Sequence, residues 1–326
     1  MPAKGRISIR AELARLGLRW FVKRRGHKQT LADSRRQFVA MERRVPFPPR
    51  SVATTHVTAD GVKGDWIVTP RSRADRSVLY LHGGGYRVGS PAIYRHFTWR
   101  IADTTRARLL AIDYRLAPEH PFPAALEDAV AAYRRLRERE PGDLIVMGDS
   151  AGGGLALGLM LKLRDLNVAL PAAAVVLSPW TDLALTGETL RRNAEADTML
   201  NASDLPGFAA DYLAGADRRT PYASPLYGDL AGLPPTLFHV GSDEILRDDA
   251  VRMADRMRQA GCRVELSIWP RMPHVWHLLA PFVPEANAAV AQIGRFVEDV
   301  FRPNQGESGM ERSRPLDFRS QGRVVQ

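Results

Sequence analysis

A serine with small neighbours lies near the middle of the chain, in Gly148-Asp149-Ser150-Ala151-Gly152. Gly-x-Ser-x-Gly is typical of a nucleophile elbow, a sharp turn between a strand and a helix that exposes the serine hydroxyl. The apolar run at 144–147 predicts a buried strand, and residues 151–164 predict a helix. Neither the Gly-Lys-Ser/Thr of a phosphate loop nor the glycine spacing of a dinucleotide fingerprint is present at this turn. We therefore predict that Ser150 is a catalytic nucleophile.

A serine hydroxyl needs a general base to attack at neutral pH. In folds that use this elbow the chain order is serine, then acid, then histidine. His274 lies in a loop just after a strand predicted at 263–268, a position that suits a proton shuttle, and we predict that it is the base. His277, in an apolar run three residues later, is the alternative.

The acid should follow the preceding strand, predicted at 236–240. Asp243 is the first carboxylate after that strand, and we predict that it holds the imidazole tautomer and stabilises the imidazolium. Glu244, Asp248 and Asp249 are close in sequence, and the last two also suit charge compensation at a helix N-terminus.

Three consecutive glycines follow a predicted strand at 77–81, in His82-Gly83-Gly84-Gly85. Glycines present backbone N–H groups to a ligand without obstruction by a Cβ atom. We predict an oxyanion hole formed by the N–H groups of Gly83, Gly84, Gly85 and Ala151. We interpret His82 as holding this loop and not as a base.

Strands and helices alternate from about residue 51 to 302, which predicts a doubly wound, mostly parallel α/β sheet forming one catalytic domain. Residues 1–50 and an insertion at about 185–215 do not fit the alternation. We predict that both form a helical cap over the carboxyl edge of the sheet, where open α/β folds bind ligands. The polar tail at 303–326 is predicted to be disordered.

The formal net charge of +10 is concentrated at the N-terminus, where residues 1–50 hold 14 Lys/Arg and three acidic residues. The rest of the chain is nearly neutral, so we expect no nucleic-acid partner. The basic segment is either a solvated helix face or a weak contact with a membrane surface. A homodimer is also left open. The single cysteine, Cys262, excludes an internal disulfide and a cysteine metal cluster, and no secretory signal is recognised, so we expect a cytoplasmic protein.

Together these motifs resemble the hormone-sensitive-lipase-like esterases, the bacterial family IV carboxylesterases of the α/β-hydrolase superfamily. The residues that carry the resemblance extend from about 50 to 300 and are listed here: His82-Gly83-Gly84-Gly85-Tyr86, Asp113-Tyr114-Arg115-Leu116-Ala117-Pro118-Glu119, Phe122-Pro123-Ala124-Ala125, Gly148-Asp149-Ser150-Ala151-Gly152-Gly153 and Asp243-Glu244-Ile245-Leu246-Arg247-Asp248. The resemblance implies an eight-stranded sheet, a helical cap, no cofactor or metal, and hydrolysis of short- to medium-chain acyl esters. In such enzymes the second and third glycines and the residue after the serine, here Gly84, Gly85 and Ala151, form the oxyanion hole.

The chain departs from the family where the acid and base lie, in Asp243-Glu244-Ile245-Leu246 and His274-Val275-Trp276. The second of these, with Pro179-Trp180-Thr181-Asp182, resembles a branch of esterases and monoterpene-lactone hydrolases. Lactone hydrolysis by the same site is therefore an alternative to ester hydrolysis. A second alternative is a ligand-binding protein without turnover, because a fold does not by itself fix a function. Four aromatic residues are candidates for the substrate pocket, although each could equally belong to the core: Tyr86, Trp180, Tyr212 and Trp276.

Overall fold

The computed structural model describes residues 7–24, 30–140 and 142–302. The tail for which disorder was predicted lies outside these residues. Eight strands form one sheet, and their bounds are β1 Ala53–Ala59, β2 Val62–Val68, β3 Arg73–Leu81, β4 Ala107–Ile112, β5 Asp143–Asp149, β6 Ala173–Leu177, β7 Thr236–Gly241 and β8 Val264–Trp269. Their order is β1-β2-β4-β3-β5-β6-β7-β8. The first two pairings, β1 with β2 and β2 with β4, are antiparallel, and the remaining five are parallel. The predicted α/β-hydrolase sheet is confirmed.

Helices cover both faces of the sheet. The regular α-helices are α1 Ile9–Leu18, α2 Leu31–Glu42, α3 Pro91–Thr105, α4 Ala124–Arg139, α5 Ala151–Asp165, α6 Thr189–Arg192, α7 Leu205–Leu213, α8 Arg247–Gln259 and α9 Pro284–Val300. Successive strand residues point to opposite faces, so Leu79 and Leu81 of β3 pack with α4, α5 and α8. Val78 and Tyr80 face the other way, toward α3 and α9. None of the helices in the described ranges is long and apolar enough to cross a membrane.

The parallel strands place their carboxyl ends at one edge of the sheet. β3 ends at Leu81, β5 at Asp149, β7 at Gly241 and β8 at Trp269. The loops that follow these strands contain the glycine triplet, Ser150, the candidate acids and His274. The predicted functional residues are therefore brought to a single edge, as expected for an open α/β sheet.

The N-terminal helices contact the loops at this edge. The π-helical turn Arg19–Lys23 extends α1, and the Lys23 ammonium donates to the carbonyl of Asp197 at 2.6 Å. Helix α2 begins with a capping box between Thr30 and Asp33. Its Arg35 guanidinium donates to the carbonyl of Ala117 at 2.9 Å. The assignment of the N-terminal segment and the 185–215 insertion to one cap stays a prediction.

Candidate active site

Ser150 lies in a strained turn between β5 and α5. Its φ of 53° and ψ of −122° lie in a region that residues with a side chain rarely adopt. The turn closes only because its neighbours are small: a Cβ atom on Gly152 would overlap the carbonyl of Leu81, and one on Gly148 would overlap the carbonyl of Gly152. The glycines thus allow the backbone to hold the Ser150 hydroxyl beyond the end of the strand.

His274 and not His277 contacts the serine. The Nε2 atom of His274 is 2.9 Å from Ser150 Oγ, and His274 is almost completely buried. His277 instead pairs with another histidine: its Nε2 is 3.0 Å from Nδ1 of His239. Burial lowers the pKa of His277 well below its ordinary value, so it stays neutral and packs in the core.

The structure contradicts the predicted contact between Asp243 and His274, because Glu244 occupies that position instead. The Glu244 Oε2 atom is 2.8 Å from His274 Nδ1, and its side chain is completely buried. The Asp243 carboxylate points away from the histidine and forms an ion pair with Arg15 at 2.9 Å. Adjacent residues in this turn point in different directions, and the longer Glu244 side chain is the one that reaches the imidazole.

Glu244 is held by donors on both of its oxygens. Its Oε1 accepts hydrogen bonds from the Ser178 hydroxyl at 2.8 Å and from the backbone N–H of Gly241 at 2.5 Å, whereas Oε2 faces His274. Burial raises the pKa of Glu244, and the bond to His274 opposes that rise. A carboxylate fixed in this way sets the tautomer of the imidazole and stabilises its protonated form.

The pKa of His274 is raised by its partner. Burial alone would lower it, but the hydrogen bond and charge of Glu244 outweigh burial, and Asp197 and Asp149 add in the same direction. The net result is a pKa above the ordinary 6.5. His274 is thus a stronger base than an isolated buried imidazole, as proton abstraction from a serine requires.

The oxyanion loop needs one correction, at Gly83. The Gly83 N–H donates to Asp149 Oδ1 at 3.0 Å and to the Tyr94 hydroxyl at 3.1 Å, so it is engaged and is not available to a substrate. The N–H groups of Gly84, Gly85 and Ala151 have no acceptor within the described part of the chain. These three groups are the candidate oxyanion donors.

Asp149, the second residue of the elbow, anchors this loop. Besides Gly83, its carboxylate accepts hydrogen bonds from the hydroxyls of Tyr80 and Tyr94, each at 2.8 Å. Burial raises the pKa of Asp149 to about 6, and the tyrosine donors oppose the rise. One buried side chain therefore ties the nucleophile elbow to the glycine loop.

His82 has the expected loop-holding position. Its Nδ1 is 2.7 Å from the Gly83 carbonyl, and its ring stacks on Tyr114 with centroids 4.3 Å apart. Burial lowers the pKa of His82 to about 4, so the ring is neutral. The hydroxyl of Tyr114 donates to the His82 carbonyl at 2.7 Å, which completes the clamp.

Of the four candidate pocket aromatics, Trp276 lies in a different core cluster from the other three. It packs with His239 and His277 on the face of the sheet that α3 and α9 cover. Tyr86, Trp180 and Tyr212 share the opposite core, where the Tyr86 and Tyr212 rings stack at 3.6 Å. All three are buried. Trp180 is joined to the elbow because its backbone N–H donates to the Ser150 carbonyl at 2.9 Å.

The sequence analysis did not predict three residues that lie at the candidate site. Phe208 of α7 lies against Gly85, with its Cδ2 2.8 Å from where a Cβ atom of that glycine would be. Ser178 and Asp197 support the acid, since Asp197 accepts a hydrogen bond from the N–H of Ile245 at 2.9 Å. No local motif marks these residues, because only folding brings them to the strand ends.

Asp248 and Asp249, in the first turn of α8, bind backbone groups of neighbouring loops. Asp248 accepts from the N–H of Thr189 at 3.0 Å. Asp249 accepts from the N–H groups of Thr181 at 2.8 Å and Asp182 at 2.9 Å. Both therefore fix the segments beside the site and do not contact His274.

Comparison with known proteins identifies the family of the chain. A family model described as alpha/beta hydrolase fold matches residues 78–278. The chain is 46% identical over 253 residues to an acetyl-hydrolase of Streptomyces hygroscopicus, covering 77% of this chain and 83% of that protein. It is 34% identical over 274 residues to the carboxylesterase/phospholipase LipF of Mycobacterium tuberculosis, covering 80% and 73%.

Solved structures give the same result. A crystal structure of an esterase from the bacterial hormone-sensitive lipase family matches with a TM-score of 0.85 at 41% identity, covering 90% of this chain and 99% of that one. The esterase EstE5 soaked with p-nitrophenyl butyrate matches with a TM-score of 0.85 at 39% identity, with the same coverage. The chain therefore belongs to the α/β-hydrolase family, and within it to the carboxylesterases that resemble hormone-sensitive lipase.

Proposed function

We propose that this carboxylesterase works through a Ser150-His274-Glu244 triad on short- to medium-chain acyl esters. Ser150 attacks the ester carbonyl while His274 takes its proton and then gives it to the leaving alcohol. This step forms an acyl-enzyme, and His274 then activates water to release the acid. The N–H groups of Gly84, Gly85 and Ala151 would stabilise the oxyanion at each tetrahedral stage. The continuous hydrogen-bond path from Ser150 to Glu244 supports this proposal.

The aromatic residues beside the oxyanion loop support a small acyl group. Phe208 lies against Gly85, and the stacked Tyr86 and Tyr212 fill the core next to it. We propose that α7, together with the N-terminal helices, forms the cap that limits acyl length. The acetyl-hydrolase among the relatives is consistent with a short acyl preference.

A panel of p-nitrophenyl esters of rising chain length, with a lactone in parallel, tests this function. We expect the highest kcat/KM for the short esters and a loss of about 10⁶-fold in kcat for Ser150→Ala, as for other serine nucleophiles. Activity that survives Ser150→Ala would refute the mechanism. Faster turnover of the lactone would reassign the substrate class, and binding without turnover by the unmodified protein would indicate a non-catalytic member of the fold.

A second proposal concerns the N-terminal segment, which we propose binds weakly to anionic membrane surfaces. Helix α1 and the π-helical turn that extends it carry an apolar stripe that faces solvent, formed by four side chains that are 55–80% exposed: Ile9, Leu13, Leu16 and Trp20. Cationic Arg10, Arg19 and Arg24 lie along the same segment, and Phe282, 71% exposed, is close because Arg10 donates to its carbonyl. Apolar residues beside cations are typical of helices that lie in a lipid interface.

Charge decides between the possible occupants of this stripe. A second copy would bring two segments with an excess of positive charge together, and the tail at 303–326 is also Arg-rich. An anionic phospholipid surface has the complementary charge. The stripe therefore fits a membrane better than a homodimer.

Co-sedimentation with vesicles of equal parts phosphatidylglycerol and phosphatidylcholine tests the membrane contact. We expect binding at low salt that weakens at high salt, because salt screens the charge attraction. The variant Leu13→Ser/Leu16→Ser/Trp20→Ser should stay in solution, whereas Val39→Ser, which alters another exposed apolar side chain, should bind normally. Absence of binding at low salt, or a dimer that the triple variant dissociates, would contradict the proposal.

The location of the protein is also a proposal. We propose a reducing compartment, the cytoplasm, since the chain has one cysteine and so can form no internal disulfide. Fractionation of cells that express the full chain would test this, and recovery outside the cytoplasm would contradict it.

A further inference from the structure

Helix α1 contacts the two loops that carry the acid and the base. Its apolar stripe faces solvent, while Ala11 and Ala14 pack against the core. Arg15 lies on this inward face and its side chain is only 12% exposed. A cation on the packed face of a helix needs specific partners there, because burial of an unpaired charge is costly.

Arg15 has one acceptor on each loop. Its Nη2 forms an ion pair with Asp243 at 2.9 Å, in the turn after β7. Its Nη1 donates to the carbonyl of Arg271 at 2.6 Å, in the loop after β8. Asp243 immediately precedes Glu244, and Arg271 precedes His274 by three residues. One guanidinium therefore joins the loop of the acid to the loop of the base.

A hydroxyl closes these contacts into a ring. The Ser242 Oγ donates to Asp243 at 2.8 Å and accepts from the backbone N–H of Arg271 at 2.8 Å. Outside the ring, α1 makes a second ion pair with these loops, between Glu12 and the guanidinium of Arg271 at 2.5 Å. The ring fixes the separation of the two loops. The 2.8 Å contact between Glu244 Oε2 and His274 Nδ1 is made across the same pair of loops.

We propose that Arg15 is a positioning residue for the Glu244-His274 pair, acting by holding the turn after β7 against the loop after β8. This inference rests on the proposed triad. The flat fork of a guanidinium holds two acceptors in fixed directions, whereas the donors of a lysine ammonium rotate and fix no such directions. The same geometry gives Asp243 a role, as the anchor for Arg15. Lys23 supports this turn from a second point, through the carbonyl of Asp197.

The test compares Arg15→Met with Arg258→Met in the full chain. Arg258 lies on α8, where it forms an exposed ion pair with Asp255 at 2.8 Å, outside the ring. We expect Arg15→Met to lower kcat by about 10-fold to about 100-fold, since small displacements of catalytic groups have effects of this size. The KM should change by less than about twofold, because the substrate contacts are untouched. Arg258→Met should behave as the unmodified protein.

The pH profile separates positioning from simple charge effects. If the ring loosens, His274 loses part of its bond to Glu244, and the acidic limb of kcat/KM moves to lower pH. Removal of a positive charge near His274 would by itself move that limb to higher pH, since a cation disfavours the imidazolium. A shift to lower pH therefore supports positioning, and a shift to higher pH contradicts it.

Two further variants cover the case in which Arg15→Met fails to fold. Arg15→Lys keeps the charge but not the fork, and Asp243→Asn removes the negative charge that pairs with Arg15, so each should lower kcat by a smaller factor. The double variant Arg15→Met/Asp243→Asn should lose less than the product of the single losses, because both act through one ring. Unchanged kcat and pH limb in folded Arg15 variants would overturn the inference. Such a result would leave the triad intact, whereas failure of the triad itself would be seen in Ser150→Ala.

Discussion

The two halves of the candidate active site are held in different ways. Ser150 and the glycine loop are fixed by a buried cluster in which Asp149 binds Gly83, Tyr80 and Tyr94. The turns that carry Glu244 and His274 are contacted by a distant and more exposed segment, through Arg15 of α1. The first half depends on the core, so changes there should affect stability and activity together. The second half depends on the docking of one helix, so changes there should affect mainly turnover.

The largest expected effect is at the acid. Glu244→Gln should lower kcat by about 10⁴-fold, because a neutral amide cannot stabilise the imidazolium and favours the wrong tautomer. Asp243→Asn should lower it by no more than about 10-fold, the range expected for a supporting residue. Steady-state kinetics with p-nitrophenyl acetate measures both. The opposite ranking would return the acid to Asp243 and contradict the structure.

A large effect is also expected in the core half. Asp149→Ala leaves the Gly83 N–H and two tyrosine hydroxyls without their acceptor, so the glycine loop should shift. We expect a loss of about 10²-fold to 10³-fold in kcat, as for an oxyanion donor, and a loss of about 1–3 kcal/mol in the free energy of unfolding. Kinetics and urea unfolding of the same preparation measure the two changes. Asp149→Asn, which keeps an acceptor, is the matched control and should be milder, and equal damage by both variants would argue against a loop-anchoring role.

A moderate effect is expected on the pH profile. The base must be neutral to accept the Ser150 proton, so kcat/KM should rise with pH through the pKa of His274. Because Glu244 raises that pKa, the midpoint of the rise should lie above 6.5. In Glu244→Gln the midpoint of the rise in kcat/KM should move to lower pH. Burial lowers the pKa of His274, and the charge of Glu244 would no longer compensate for it. Profiles from pH 5 to 9 with a short p-nitrophenyl ester would show this, and a midpoint that does not move would mean that Glu244 does not set the pKa.

The smallest expected effect concerns the acyl group. Phe208→Ala removes a ring from beside Gly85 and should shift the preference toward longer chains, by about 10-fold in the ratio of kcat/KM values, the size of effect that extra space for methylene groups has. Phe282→Ala, an exposed aromatic elsewhere, is the control and should leave the ratio unchanged. An unaltered ratio in Phe208→Ala would place the acyl group elsewhere.

Much of the site could be predicted because it depends on local constraints. Gly148 and Gly152 are needed wherever a strand turns sharply into a helix around a serine, and strand and helix patterns are short-range. The position of His274 after the last strand followed from chain order. By contrast, the engagement of the Gly83 N–H depends on Asp149 and Tyr94, and the place of Trp276 depends on which face of the sheet its loop enters. These are contacts between residues distant in the chain.

The sequence by itself determined the α/β-hydrolase fold, the turn at Ser150 and the glycine loop, and it predicted the histidine, His274, that the structure places against Ser150. Only the tertiary structure decided between Asp243 and Glu244, two adjacent carboxylates with the same local signals. A turn sends neighbouring side chains in different directions, and only their surroundings specify which direction is the catalytic one. Here one side is the buried pocket of Ser178 and His274, and the other is Arg15, from more than two hundred residues earlier in the chain. That contact also gives part of the basic N-terminus a position in the fold that its charge alone did not indicate.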